Sequence, residues 1–469
     1  MRNKRNNWKS SRPTEHLEPK DFEYYIFCEG QQTEPNYFNG FKELICILSR
    51  QGCCTEAGAR PLGLKKLHTD TRNDIITLLL MIRSNVIFME IILMVIMNLH
   101  LDNFLVFNEF DLCMSYPKKI VRSTIEGEHL SGRERFRYKK VVILMGANAT
   151  GKTALGRILM SIFNFIDGKE YSGIVKLIDD KRKKAEFIID LAFSGFQLYR
   201  IKGTFKALRD ETDEYSSEDV SVEVWNETIL PNDSYERCVE RLAEKQATIV
   251  ESYIKALEKV PKMTWSFHYP YAPEGKLRTL IPFNSEEYRK TLEMTLKSLD
   301  PRIIGVTKVD EAVRTNRTYI VQYPNCSAII RNGTVIDSQI LSSGTVDGIG
   351  VANMITSMKL NDVSFYYCDE KFAHIHSEAE RAFLSVFIDL LGPDRQLFYT
   401  THNSDILDMD LPKHSFAFMR RDELDENRIS CIYASAYLKK NTDSLKNAVE
   451  NDLFSSAPNV DQIIGIKDI

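Results

Sequence analysis

An α/β fold built around a parallel sheet is what this sequence predicts, and three apolar runs predict it. Val141-Val142-Ile143-Leu144 runs into Gly146-Ala147-Asn148-Ala149-Thr150-Gly151-Lys152-Thr153. Phe365-Tyr366-Tyr367-Cys368 ends in Asp369-Glu370, and Gln396-Leu397-Phe398-Tyr399-Thr400-Thr401 ends in His402-Asn403. Short continuous apolar runs read as strands buried on both faces, and parallel sheets gather their ligands at the C-terminal ends of such strands.

The first run carries the most specific signal. Gly146 to Thr153 is a complete G-x-x-x-x-G-K-[ST] loop, and Ala154 to Met160 reads as the helix leaving it. Its glycines let successive backbone N–H groups turn inward around phosphate oxygens, Asn148 lies within that cradle, and the helix N-terminus adds to the field. Lys152 would reach the β- and γ-phosphates as a point charge, and Thr153 would offer a hydroxyl to Mg²⁺. The expected ligands are therefore ATP and Mg²⁺.

Asp369 and Glu370 extend this site. Two acids at the end of one buried strand divide the work: Asp369 would hold Mg²⁺, directly or through water, and Glu370 would orient and deprotonate the attacking water. His402, at the end of the third run, would contact the γ-phosphate and the water. Between these parts, Leu341-Ser342-Ser343-Gly344-Thr345 is a Ser/Gly turn opening a helix over 346–358. A helix cap is its plain reading, and its N–H groups at Ser343 and Gly344 also suit a second anion contact.

Composition sets outer limits. A length of 469 residues allows two to four domains, and 43% hydrophobic with 27% charged residues is ordinary for a soluble globular chain. The net charge of −4 excludes a generic nucleic-acid binder, so contact with nucleic acid would need a local patch. The nine cysteines have no paired C-x-x-C spacing, which argues for a reducing cytoplasm without a disulfide framework or zinc site. No signal peptide is visible. Ile75 to Met97 is apolar and long enough to span a bilayer, but Arg83, Asn85 and Glu90 interrupt it, so a helix followed by a buried strand is expected and no membrane contact.

Taken in order, residues 1–20 read as a disordered basic arm. Phe22 to Cys28 reads as a strand ending in Glu29-Gly30, with Thr33-Glu34-Pro35 opening a helix. Residues 51–88 read as linker. Met89 opens lobe I (89–209), led by two strands, Leu93–Leu101 and Phe104–Phe110, around Asp102-Asn103. Residues 131–140 are basic and aromatic, which reads as a solvated hairpin or an edge of the nucleotide site, or as a nucleic-acid patch. Ala185 to Phe205 forms two more strands; ABC-type cores carry a γ-phosphate-sensing glutamine after such strands, and by that resemblance Gln197 is the candidate. Residues 210–330 read as a helical insertion, with a long helix over Ser234–Val260, stopped by Pro261, and a second over Ser285–Leu299. Lobe II follows at 331–469.

Two resemblances rest on these residues. The ordered set of the phosphate loop, S-S-G-T, Asp369-Glu370 and His402, with L-H-L-D-N-F-L-V-F near residue 100, resembles RloA-like and OLD-type ATPases of the SMC/RecF branch of ABC ATPases. That resemblance covers about residues 89–469. It implies an ABC-type ATPase head, ATP hydrolysis, and a homodimer in which Ser343 and Gly344 contact the partner's γ-phosphate. His376 falls where that family usually has Leu-His-Pro, with Ser377 in place of the proline. The stretch C-E-G-Q-Q-T-E-P-N-Y-F resembles the start of RloB-family proteins, which are TOPRIM-like nucleases. Glu29 would match their first acid, but no later Asp-x-Asp strand precedes residue 89. One carboxylate assembles no two-metal site, so nuclease catalysis in 21–50 is not expected. Together the resemblances imply the ATP-driven switch of an anti-phage defence system, acting with a nuclease or toxin partner. The alternative is a DNA-repair or chromosome-associated ATPase, and the absence of a long coiled-coil insert weighs against it.

Overall fold

A sheet buried on both faces needs helices on both faces, and the alternating residues of its strands decide which helix each face meets. The computed structural model describes residues 14–17, 24–27, 92–120, 123–247, 252–269, 285–309, 317–336, 341–361, 363–422, 428–440 and 443–454. The chain divides into two units, Met1–Phe88 and Met89–Ile469. In the first, β1 (Thr14–Leu17) pairs antiparallel with β2 (Tyr24–Phe27), from Thr14↔Phe27 to Leu17↔Tyr24. β1 lies within the stretch read as an arm, and β2 within the strand read over 22–28. Glu29, the rest of 21–50 and the linker lie outside the described residues.

The second unit begins with an antiparallel sheet. β3 (Met94–Asp102) lies between β4 (Phe110–Cys113) and β8 (Ala185–Phe193), followed by β9 (Gln197–Phe205) and β10 (Val220–Thr228). The end of the apolar Ile75–Met97 stretch is thus strand, with Met94 to Met97 buried, and no described helix is long and apolar enough to cross a membrane. The second lead strand is Phe110–Cys113 rather than Phe104–Phe110. Residues 103–109 form a loop in which Asn103, Leu105 and Glu109 take left-handed φ values of 61°, 50° and 46°. A short hairpin, β5 (His129–Leu130) and β6 (Arg133–Arg137), then leads into β7 (Val141–Met145).

β7 belongs to the second sheet, ordered β11 (Trp265–His268), β16 (Phe365–Asp369), β17 (Gln396–Thr400), β7, β18 (Phe416–Arg421), β19 (Ile429–Tyr433). All neighbours are parallel except the β18–β19 hairpin. Val142, Leu144, Phe365, Tyr367 and Phe398 face α1 (Lys152–Gly168), which presents Leu155, Ile158, Leu159, Ile162 and Phe163 at helical spacing. The antiparallel sheet covers the other side of that core through Leu99, Leu101, Ile189 and Ile201. The alternate residues Val141, Ile143, Tyr366, Cys368, Leu397 and Tyr399 face α5 (Ser343–Leu360) and α6 (Ser377–Leu390).

Residues 210–330 differ most from expectation. Instead of a helical insertion they supply strands to three sheets: β10, β11, and most of the small sheet β12 (Gly305–Val309), β13 (Thr318–Gln322), β14 (Ser327–Arg331), which is completed by β15 (Thr334–Val335) just beyond. Val220-Ser-Val-Glu-Val alternates buried and outer residues at the strand period. The long helix over 234–260 is two short ones, α2 (Tyr235–Ala243) and α3 (Tyr253–Leu257). Cys238 of α2 packs with Val95 and Ala192, whereas Leu257 of α3 packs with Met94 and Leu191. These pairs point to opposite faces of the antiparallel sheet, so one straight helix cannot serve both. The second helix is as read: α4 (Glu286–Leu299) is capped by Ser285 and packs on β13 through Tyr288, Leu292 and Leu296.

The basic-aromatic stretch 131–140 is a hairpin whose polar ends turn inward. Phe136 and Tyr138 are fully buried. Lys139 donates to the carbonyls of Cys113 (2.7 Å) and Ser115 (3.0 Å), and Lys140 to that of Glu126 (2.7 Å). Burial lowers both amines to about 8. Neither lysine is available to a phosphate backbone, whereas Arg135 in the same stretch is exposed.

Candidate functional site

The phosphate loop sits where β7 stops, and its backbone depends on two glycines. Gly146 has φ 149° and Gly151 φ 94°. A Cβ at 146 would stand 2.4 Å from the Met419 carbonyl oxygen, and one at 151 would stand 2.9 Å from Phe107. Glycine is the residue that allows both the left-handed φ and the close approach. Asn148 is exposed at the apex. Lys152 is buried and turns back along the loop, donating to the carbonyls of Gly146 (3.0 Å) and Ala147 (3.3 Å). Burial lowers its amine, and the charges of Glu370 and Asp369 oppose that shift.

The acid pair meets the loop because β17, not β16, is the neighbour of β7. That order sets Asp369 one strand away, opposite the first turn of α1. Thr153 Oγ1 donates to Asp369 Oδ2 at 2.7 Å, and Thr400 Oγ1 donates to Asp369 Oδ1 at 2.8 Å. Burial raises the Asp369 carboxyl, and the two hydroxyls pull it back. Glu370 leaves the strand with a left-handed φ of 42°, held by its N–H on Thr400 Oγ1 at 2.9 Å. Its Oε1 lies 2.8 Å from His402 Nε2 and 3.6 Å from Lys152 Nζ. The bond from His402 lowers the Glu370 carboxyl below the usual carboxylate range despite burial. Lys152, Thr153, Asp369, Glu370 and His402 thus come together at one sheet edge.

The chemistry of this donor set fits magnesium. A threonine hydroxyl and a carboxylate are hard oxygen ligands, and Mg²⁺ keeps several waters and takes the rest of its shell from phosphate. Among the described residues no group of three or more His, Cys, Asp or Glu converges as a closed metal cage.

Ser343 and Gly344 stand elsewhere. Ser342 caps α5, accepting from the Thr345 N–H at 3.1 Å, while Ser343 is exposed. A Cβ at 344 would stand 2.8 Å from the His374 carbonyl oxygen. The turn is therefore pressed on the segment following Glu370. Buried Asp347, one turn into α5, fixes that contact through Lys371 Nζ (3.1 Å) and His374 Nδ1 (3.0 Å). His376 caps α6, its ring accepting from the Glu378 N–H at 3.3 Å.

Gln197 does not belong to the site. It pairs with Phe193 and Thr228 at one end of the antiparallel sheet, whereas Asp102, leading to the loop that touches Gly151, is at the other end of β3. The strand beside the acids is β11, and its register, His268↔Cys368, brings Tyr269 level with Asp369. Thr400, Asp347, Lys371, Tyr269 and Glu380 were not read from the sequence. The four-residue run Trp265-Ser-Phe-His was the available signal for β11, and the alternation of Thr400 with His402 the signal for Thr400.

The chain is similar in shape to several solved structures. These include the SMC head bound to the C-winged helix domain of ScpA, with TM-score 0.43, 12% identity, and coverage of 76% of this chain and 99% of that one. The SMC head domain from Thermotoga maritima matches with TM-score 0.35 and 13% identity over 72% and 98%. RecF with ATP, from the RecFOR pathway, matches with TM-score 0.37 and 10% identity over 72% and 98%. No family model matches this chain, and no curated protein does. The α/β P-loop class follows from the chain's own strand order and its strand–loop–helix unit.

Proposed function

We propose that this chain binds and hydrolyses ATP as an ABC-type head. The observation that carries the reading is the convergence of Lys152, Thr153, Asp369, Glu370 and His402 at the C-terminal edge of one parallel sheet. Gly146, Asn148 and Gly151 would shape the cradle for the phosphates, and Lys152 would give up its carbonyl partners for the β- and γ-oxygens. Thr153 and Asp369 would hold Mg²⁺, which when bound neutralises charge on the phosphates. Glu370, kept ionised by His402, would take a proton from the attacking water, and His402 would hold that water or the γ-phosphate. The competent form would be a head-to-tail homodimer, because exposed Ser343 and half-buried Gly344 complete no site within their own chain in this reading.

The wider role we propose is an ATP-driven switch in anti-phage defence, with a nuclease or toxin as effector. Its support is the S-S-G-T signature and the C-E-G-Q-Q-T-E-P stretch. Among the described residues of 210–330 the helices are α2, α3 and α4, of nine, five and fourteen residues, and none gives the DNA-repair alternative a coiled coil. Phosphate release from ATP tests the core reading. Purified protein should turn over ATP with Mg²⁺, and Lys152→Ala and Glu370→Gln should each lower turnover sharply. Wild-type turnover in both variants would remove the reading.

A further inference from the structure

Along Tyr399-Thr400-Thr401-His402-Asn403 the side chains divide by parity, as an extended chain requires. Thr400 and His402 reach the acid pair. Tyr399, Thr401 and Asn403 all reach one other group, the carboxylate of Glu380 on α6. Tyr399 Oη and Thr401 Oγ1 donate to Glu380 Oε1 at 2.8 and 2.7 Å, and Asn403 Nδ2 donates to Oε2 at 2.8 Å. Thr401 Oγ1 also accepts the Asn403 N–H at 2.9 Å. Glu380 is 4% exposed. It shares its helix face with Leu384 and Phe387, which belong to the core. An apolar side chain would suit that position for packing, since a buried carboxylate carries a desolvation cost.

We infer that Glu380 is a positioning residue that clamps both neighbours of His402 from behind and so fixes its imidazole against Glu370. Its geometric part stands without the ATPase reading; its kinetic part rests on that reading. α6 begins seven residues after Glu370, so the clamp also ties the segment following the acid pair to the segment carrying His402. Asn403 and Asp405 reinforce the tie through Ser377.

The test uses ¹⁵N-histidine-labelled full-length protein, with the His402 ring signal assigned by its loss in His402→Ala. The bonded ring N–H signal should be displaced in Glu380→Ala and retained in Glu380→Gln, whose amide oxygen still accepts from Tyr399 and Thr401. In ATP turnover, Glu380→Ala should lower kcat roughly ten- to a hundredfold, the scale for a misplaced catalytic group, with KM within about twofold. In the His402→Ala background the same change should add no further loss. An unmoved His402 signal in folded Glu380→Ala overturns the inference, as does a loss of equal size in both backgrounds. If Glu380→Ala does not fold, Thr401→Val removes one donor and the relay to Asn403, and an unmoved signal there overturns it equally. A wild-type protein without turnover refutes the ATPase reading, and the resonance then decides Glu380 alone.

Discussion

His402 Nε2 stands 2.8 Å from Glu370 Oε1, and that bond is the largest influence holding the carboxyl below its usual range. A group with a lowered pKa stays ionised to lower pH, so the base remains active as acid is added until its own pKa is reached. In His402→Ala the largest lowering cause is gone and only Lys152 still lowers the carboxyl. The acid limb of kcat against pH should therefore move upward relative to wild type. A limb that does not move would separate His402 from the state of Glu370.

Lys152→Ala removes a charge-assisted contact to phosphate. ATP affinity should fall by at least about tenfold, on the scale of 1.5–3 kcal/mol for a hydrogen bond to a charged group. Titration with a fluorescent ATP analogue checks this, with circular dichroism as the control for folding.

Glu370→Gln keeps the shape of the side chain and removes the base. Turnover should drop about a hundredfold or more while ATP still binds. Single-turnover measurement should show bound ATP persisting, and wild-type turnover in this variant would place the base elsewhere.

Ser343→Arg tests the composite site. It should abolish hydrolysis with ATP binding nearly intact. Mixing it with Lys152→Ala should restore part of the activity, because one of two sites would then be whole. A monomer in sedimentation whose turnover per molecule is independent of concentration would defeat the dimer reading.

Buried Lys139 gives a pH signature in stability. Its amine titrates at about 8 in the folded chain against an ordinary 10.5. Above pH 8 the unfolded chain holds the proton more tightly, so this group's contribution to stability rises with pH up to about 10.5 and is absent below 8. Between pH 8 and 9 the unfolding free energy of wild type relative to Lys139→Met should rise by on the order of 1 kcal/mol. Denaturant titration at the two pH values checks it, and no relative change would mean the amine is not desolvated.

Gly146–Thr153, Asp369-Glu370 and His402 were legible in the sequence because each is a local event. An apolar run fixes a strand, a polar residue ends it, and a parallel sheet leaves that end at its functional edge. Ser342 capping α5 was equally local. The sequence alone determined which residues stand at strand ends and which loop precedes a helix. Only the tertiary structure decided that Thr153 meets Asp369 across 216 residues of chain, through a strand order that inserts β17 between β7 and β16. It also decided that Gln197 lies at the remote end of its sheet, that Trp265–His268 joins the acid strand, and that residues 234–260 break to cover two faces. Glu380 was the least legible of all, one of three acids on an amphipathic helix. Its significance comes from three donors that only packing aligns, and no short-range pattern encodes a contact whose partners are chosen by the register of another strand.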